Sequence, residues 1–212
     1  MNTRIALVLS VVLHPLLMPT YLFGVLFILA PDLVGVSTLG SSAQWSLLLL
    51  LFLNTFLAPA LLIYYFYRLG LIKSLHLENL RDRRLPYLGT IIIYTLSTYL
   101  FGWRFEPISE LVPQIAVVLG SVTASIAVIA VISIWWQISA HTTGVGGFLG
   151  AFGGLFLRYN DTTLFYPFML GILITGLIMS ARLRLNAHTP GQVSAGLGVG
   201  LVISIAAVFL YF

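Results

Sequence analysis

Long uncharged intervals separate short charged segments along the chain. Between charged side chains lie uncharged intervals of 27, 35, 19, 47, 20 and 28 residues. About 20 apolar residues cross the hydrocarbon of a bilayer, so each interval can hold one transmembrane helix. The interval of 47 can hold two, with a break at the polar and glycine-containing sequence SAHTTG, residues 139–144. The pattern predicts an all-α bundle of about seven spans, with six as the alternative, near residues 5–29, 45–67, 86–103, 112–138, 143–159, 162–184 and 191–212.

Composition supports an integral membrane protein. The chain is 59% apolar and 8% charged, whereas soluble domains carry about a quarter charged residues. It has no cysteine, which excludes a disulfide scaffold and a cysteine-ligated metal site. We therefore expect one multi-pass membrane domain over residues 1–212, with no nucleic-acid partner. Within the first span, His14-Pro15 predicts a kink. We interpret His14 itself as a neutral residue bonded to a neighbouring helix.

Basic residues concentrate on one side of the predicted bundle. With seven spans, eight of the ten Lys and Arg residues fall on the side of the N-terminus. The positive-inside rule then places this side in the cytoplasm, at a bacterial-type inner membrane. Three of the four histidines also fall there, so we expect any chemistry at this face. The segments concerned are residues 68–85, 139–143 and 182–190.

This side offers the components of an anion site. Arg81 and Arg84 are three residues apart and share a face if the segment is helical, with Pro86 opening the next span. The only nearby acids are Glu78 and Asp82. Arginine forks match phosphate oxygens, and imidazoles can transfer protons or attack phosphorus. The segments therefore favour phosphate as the ligand.

Two predicted helix N-termini point to the same face. Residues 189–192, Thr-Pro-Gly-Gln, form a predicted capping box, and His188 lies just ahead of it. His141 is expected just ahead of a glycine-rich helix that begins near Thr143. Free backbone amides at helix N-termini favour an anion. The glycines of the second helix fit either a substrate groove or close helix packing.

Three motifs in residues 73–192 resemble those of the type 2 phosphatidic acid phosphatase superfamily, usually written KxxxxxxRP, PSGH and SRxxxxxHxxxD. The second is similar to Ile-Ser-Ala-His at residues 138–141, matching at serine and histidine. The third is similar to residues 181–192, matching at Arg182 and His188 with the same gap of five. The first is degenerate, because Arg84-Leu85-Pro86 has one residue inserted.

The resemblance implies a metal-independent lipid phosphatase without a cofactor. His188 would attack phosphorus and form a phosphohistidine, and His141 would protonate the leaving alkoxide. Substrates would be a phosphatidate, a phosphatidylglycerol phosphate, a polyprenyl pyrophosphate or a lipid A type phosphate; a homo-oligomer stays open. The groups that would hold the phosphate oxygens are Arg182, Arg84, Arg81 and Ser139.

One departure from the motifs opens an alternative. Gln192 stands where the family has an aspartate, and it either orients His188 or only caps its helix. The alternative function is a weakly active or non-catalytic membrane protein that binds or moves phospholipids. Arg83 and Lys73 are interpreted as contacts to anionic lipid. Many bacterial members of the superfamily work at the outer face, so the resemblance and the charge bias predict different faces.

Overall fold

The computed structural model describes residues 1–77, 79–106 and 108–212, and over these ranges the regular structure is helical. The all-α prediction is therefore confirmed for the described residues. The α-helices are α1 Thr3–Val12, α2 Met18–Leu29, α3 Ser41–Phe52, α4 Ala58–Arg68, α5 Leu80–Tyr99, α6 Ile108–Leu111, α7 Gln114–Ile132, α8 Ala140–Tyr159, α9 Phe165–Arg184 and α10 Pro190–Tyr211.

Six helical segments in the described ranges are long and apolar enough to cross a membrane, so the chain has the features of a multi-pass membrane protein. The predicted span at residues 143–159 is helical, as part of the 20-residue helix α8, but α8 is not one of these six, so seven spans are not shown. The six segments are Thr3–Leu29, Ser41–Arg68, Leu80–Arg104, Gln114–Ile132, Thr162–Arg184 and Pro190–Tyr211.

The first of these segments is broken, as the sequence predicted. Pro15 disfavours helical geometry at the preceding residue, and His14 has ψ 137°. Tyr21 Oη donates to the carbonyl of Val12 at 2.9 Å. Nine residues of continuous helix would separate these two residues by about 13.5 Å, more than a tyrosine side chain spans. The chain therefore bends sharply, and α1 packs against α9 while α2 packs against α3 and α8.

Helix α8 lies in the interior and packs most extensively against α10. Twelve of its 20 residues are buried. A side chain at Gly150 would place its Cβ 2.7 Å from the carbonyl oxygen of Leu201, and one at Gly200 would lie 2.6 Å from the amide of Gly147. These glycines allow the two backbones to approach closely. Of the two interpretations offered by the sequence, the structure thus supports close packing for them.

Two predicted helix starts were wrong. α5 begins at Leu80, after Asn79, so Pro86 lies inside the helix instead of opening it. Pro86 cannot donate to the carbonyl four residues earlier, so the helix continues there with one ladder bond fewer. α8 begins at Ala140, so His141 lies in the first turn of the helix instead of ahead of it. The hydroxyl of Ser139 caps this helix, which explains the earlier start.

Candidate functional site

The starts of α5, α8 and α10 lie together at one end of the bundle. The Arg83 guanidinium at the start of α5 donates through one terminal nitrogen to the carbonyl of Ile138 at 3.0 Å. The backbone N–H of Ser139 donates to the carbonyl of Gln192 at 3.3 Å. The helices α5, α8 and α10 therefore all begin at this end. We call the residues gathered here the polar cluster: Ser10, His14, Arg83, His141, Arg182 and His188.

His188 lies between α9 and α10, and its side chain is oriented by the main chain. Its Nδ1 is 3.0 Å from the carbonyl oxygen of Gln137. A carbonyl can only accept, so Nδ1 carries the proton, and in the neutral ring the lone pair is on Nε2. Burial, together with the positive charges of Arg182 and Arg83, lowers the pKa of His188 to about 4. At neutral pH, His188 is thus an uncharged imidazole with its lone pair on Nε2.

His141 is held in the opposite tautomer. Its Nε2 is 3.0 Å from the carbonyl oxygen of Ser10, so Nε2 donates and the lone pair of the neutral ring lies on Nδ1. The ring of His14 packs edge-on against it, with 5.6 Å between centroids. The positive charge of Arg182 also acts on His141, and His188 is near enough to interact with it. The two imidazoles that the sequence paired are therefore in one cluster, with His14 as a third.

Among the residues that the structure describes, the two guanidinium groups of the cluster have no carboxylate partner. Arg182 donates through one terminal nitrogen to the hydroxyl of Ser10 at 3.2 Å, and its buried Nε has no hydrogen-bond partner in the described part of the chain. Arg83 is 6% exposed, and its Nε donates to the carbonyl of Leu77 at 2.8 Å. The buried acid nearby in sequence, Asp82, accepts instead from the backbone N–H of Lys73 at 3.3 Å. The cluster is thus rich in positive charge.

Arg81 and Arg84, predicted as phosphate ligands, lie elsewhere. Both are exposed, as expected for residues that share one helical face, whereas Arg83 between them is buried. The structure therefore brings Arg83 into the cluster and leaves Arg81 and Arg84 on the surface of α5. Arg83, which the sequence suggested as a lipid contact, is instead inside the protein.

Ser139 and Gln192 both act as helix caps. Ser139 is fully buried, and its Oγ accepts from the backbone N–H of Thr142 at 3.4 Å. The Oε1 of Gln192 accepts from the backbone N–H of Thr189 at 3.0 Å, and both bonds of the predicted capping box are present. The side chain of Gln192 also lies beside His188, where it favours the protonated ring. The hydrogen bond that orients the Nδ1 of His188 nevertheless goes to Gln137.

The sequence reasoning did not identify Ser10, and it gave His14 and Arg83 other roles. Arg83 lies on the buried face of α5, whose residues recur every three or four positions, but the sequence alone does not show which face is buried. Ser10 had no local signal, because its neighbours His141 and Arg182 are more than 120 residues away in the chain. The recurring buried residues of α5 are Arg83, Pro86, Thr90, Tyr94 and Ser97.

The charge pattern of the cluster fits an anion better than a cation. In the described ranges, no group of three His, Cys, Asp or Glu side chains is placed to bind a metal ion. Two guanidinium groups and the N-termini of α8 and α10 instead present donors and positive potential, and two neutral imidazoles lie beside them. Comparison of the chain with protein-family models, with characterised proteins and with solved structures found no match.

Proposed function

We propose that the protein is a metal-independent phosphatase of membrane lipid phosphates, with His188 as its nucleophile. The observation that carries the proposal is the hydrogen bond from His188 Nδ1 to the carbonyl of Gln137, beside two guanidinium groups. This bond leaves the Nε2 lone pair for attack on phosphorus. The motif resemblance to type 2 phosphatidic acid phosphatases supports the same role. The lowered pKa of His188 also fits this role, because the ring is neutral at neutral pH and its Nε2 carries no proton.

The reaction would proceed in two displacements. In the first, the neutral Nδ1 of His141 takes the proton of the bound phosphate monoanion. His188 Nε2 then forms a bond to phosphorus, the ester P–O bond breaks, and His141 passes the proton to the leaving oxygen. In the second, water attacks the phosphohistidine and the P–N bond breaks, while the proton of the water passes through His141 Nδ1 and leaves with the phosphate. Both histidines end in their starting states. The products are inorganic phosphate and the lipid alcohol, or the lipid monophosphate where the substrate is a pyrophosphate.

The positive groups around the histidines would stabilise the phosphoryl oxygens during both steps. Arg182 and Arg83 contribute guanidinium charge, and the first turns of α8 and α10 contribute backbone dipoles. The acyl or prenyl tail of the substrate would remain in the bilayer while its phosphate reaches the polar cluster. Suitable substrates are a phosphatidate, a phosphatidylglycerol phosphate, a polyprenyl pyrophosphate or a lipid A type phosphate. From the charge bias we propose the cytoplasmic face of a bacterial-type inner membrane.

One observation favours a second function, the binding or movement of phospholipids without catalysis. The acceptor for His188 Nδ1 is a neutral carbonyl, and Gln192 is a neutral cap. Neither offsets the positive charge that develops on an attacking imidazole. In a serine-protease triad, replacing the comparable carboxylate by an amide costs about ten-thousand-fold in kcat. The same cluster could therefore bind a phosphate headgroup with little or no turnover.

Phosphate release from a panel of lipid phosphates distinguishes the two functions. We expect purified wild type to release inorganic phosphate from at least one lipid, and His188→Ala to abolish release. His76→Ala is the matched control, because His76 is exposed and outside the cluster. Release that His188→Ala leaves unchanged would refute the proposed nucleophile. Lipid binding without His188-dependent release would establish the second function instead.

The role of Arg182 has its own matched control on the same helix. Arg184 is two residues further along α9 and is exposed, whereas Arg182 contacts Ser10 inside the cluster. A hydrogen bond to a charged group contributes about 1.5–3 kcal/mol, so Arg182→Ala should lower kcat/KM by at least about tenfold. Arg184→Ala should stay near wild type. Equal losses in both variants would indicate a general effect of positive charge near the membrane.

A further inference from the structure

We infer that Ser10, on the N-terminal helix α1, is a positioning residue of this site that holds Arg182 and His141 together. The inference rests on the proposed function and extends the site to a part of the chain outside its three motifs. Ser10 is 7% exposed. Its carbonyl oxygen accepts from His141 Nε2 at 3.0 Å, and its hydroxyl accepts from Arg182 at 3.2 Å. One residue therefore contacts both the proposed acid and a proposed phosphate ligand.

The break in the first span makes the Ser10 carbonyl available. In a continuous helix this carbonyl would accept the backbone N–H of His14. The helical ladder instead ends with the N–H of Leu13 bonded to Leu9, because Pro15 holds His14 in extended geometry. The carbonyls of the last turn then need other donors. Ser10 receives the imidazole N–H of His141, so the sequence His14-Pro15 controls the tautomer of a histidine 127 residues away.

The Ser10 hydroxyl determines which edge of Arg182 can face a phosphate. It occupies one terminal nitrogen of the guanidinium. The buried Nε has no partner in the described part of the chain. A guanidinium binds a phosphate best through two parallel N–H groups, and the edge formed by Nε and the other terminal nitrogen presents such a pair. Ser10 thereby orients Arg182 so that this edge receives the phosphoryl oxygens.

The Ser10 carbonyl has a separate effect on His141. Because it accepts the Nε2 proton, the exchangeable proton of the mechanism must be on Nδ1. Replacing the Ser10 side chain removes the hydroxyl and leaves this carbonyl in place. Removal of the hydroxyl should thus weaken phosphate binding by Arg182 while His141 keeps its tautomer. This separation distinguishes a positioning role from a general disturbance of the fold.

The test compares Ser10→Ala and Ser10→Thr with Ser46→Ala, an exposed serine of α3 as matched control. For phosphate release, we expect Ser10→Ala to raise KM, and the inhibition constant of vanadate, by about tenfold or more. The pH profile of kcat should stay unchanged, and Ser10→Thr should restore KM because it keeps a hydroxyl. In an Arg182→Ala background, Ser10→Ala should have no further effect.

The outcomes separate this inference from the proposed function. If Ser10→Ala changes KM by less than about twofold while His188→Ala abolishes release, only the role of Ser10 is refuted. A KM that Ser10→Thr fails to restore refutes it as well. If wild type releases no phosphate, the proposed enzyme is refuted. Calorimetric titration with inorganic phosphate then tests the role of Ser10. This role is refuted unless Ser10→Ala weakens phosphate binding and Ser46→Ala does not.

Discussion

A methyl group at Gly200 should separate α8 from α10 and disturb the site at their ends. The added Cβ would overlap the carbonyl oxygen of Thr143 and lie 2.6 Å from the amide of Gly147. Both neighbours are backbone atoms, which cannot rotate away, so the helices must move apart by about 1 Å to reach ordinary contact. A Cβ at Gly198, two residues earlier, would have no neighbouring atom within 4 Å. Gly198→Ala is therefore a matched control on the same helix.

The expected loss follows from two opposing contributions. Overpacking costs about 1–3 kcal/mol, and the rigid backbone neighbours place Gly200→Ala at the upper end of this range. Replacing glycine by alanine in a helix returns about 1 kcal/mol. We expect a net destabilisation of about 2 kcal/mol for Gly200→Ala. Gly198→Ala should lose nothing and gain up to about 1 kcal/mol.

Thermal unfolding of the purified protein in detergent, with phosphate release measured on the same samples, tests this prediction. A loss of 2 kcal/mol in a chain of this size should lower Tm by about 4–8 °C. Release should fall as well, because the Ser139 to Gln192 bond that joins the two helix starts depends on the same packing. If Gly200→Ala unfolds at the same temperature as Gly198→Ala, the close approach of α8 and α10 is refuted.

Three further predictions concern the polar cluster and the membrane core. The pKa of His188 is about 4 in the folded protein, below the ordinary 6.5, so between these pH values the unfolded chain binds the extra proton. The free energy of unfolding should rise from pH 4 to 6.5 in chemical denaturation, and an equal rise in His188→Gln would contradict this assignment. Arg83→Met, which leaves two carbonyls without their donor, should reduce phosphate release by at least about tenfold, whereas Arg81→Met should not. Tyr94→Phe removes a buried hydrogen bond of 2.8 Å and should lower the free energy of unfolding by about 1 kcal/mol; an unchanged denaturation midpoint would contradict it.

The helical architecture was predictable because the membrane constrains it strongly. Apolar intervals of about 20 residues have few alternatives to helices in lipid, and the charged residues mark their ends. The capping box at Thr189 and Gln192 was also predictable, because its two bonds form within four residues. The starts of α5 and α8 were harder to predict from the sequence. A proline is favoured in the first turn of a helix, and the local sequence does not show that Pro86 lies further inside α5.

The positions of His141, Arg182 and His188 at one end of the bundle were predictable from the sequence, and those of Arg83 and Ser10 were less so. Helix N-termini and motif spacing pointed to His141, Arg182 and His188 because these features are local in sequence. The choice of Arg83 over its two neighbours depends on which face of α5 the bundle buries. Ser10 depends on a helix break and a contact across more than 130 residues. No local pattern specifies such a contact.

The distribution of charge in the polar cluster favours an anion ligand over a purely structural role. A buried guanidinium is costly unless it is paired, and structural arginines in protein interiors usually have an acid nearby. Arg83 satisfies part of its hydrogen-bonding capacity with the carbonyls of Leu77 and Ile138, and Arg182 with the hydroxyl of Ser10. These neutral acceptors satisfy donors but do not neutralise charge. A phosphate would supply both acceptors and negative charge, and it would do so next to the unprotonated Nε2 of His188. Catalysis and headgroup binding both need this complementarity. We therefore expect Arg182→Ala to lose phosphate binding for either function. Loss of phosphate release in His188→Ala is expected only if the protein is an enzyme.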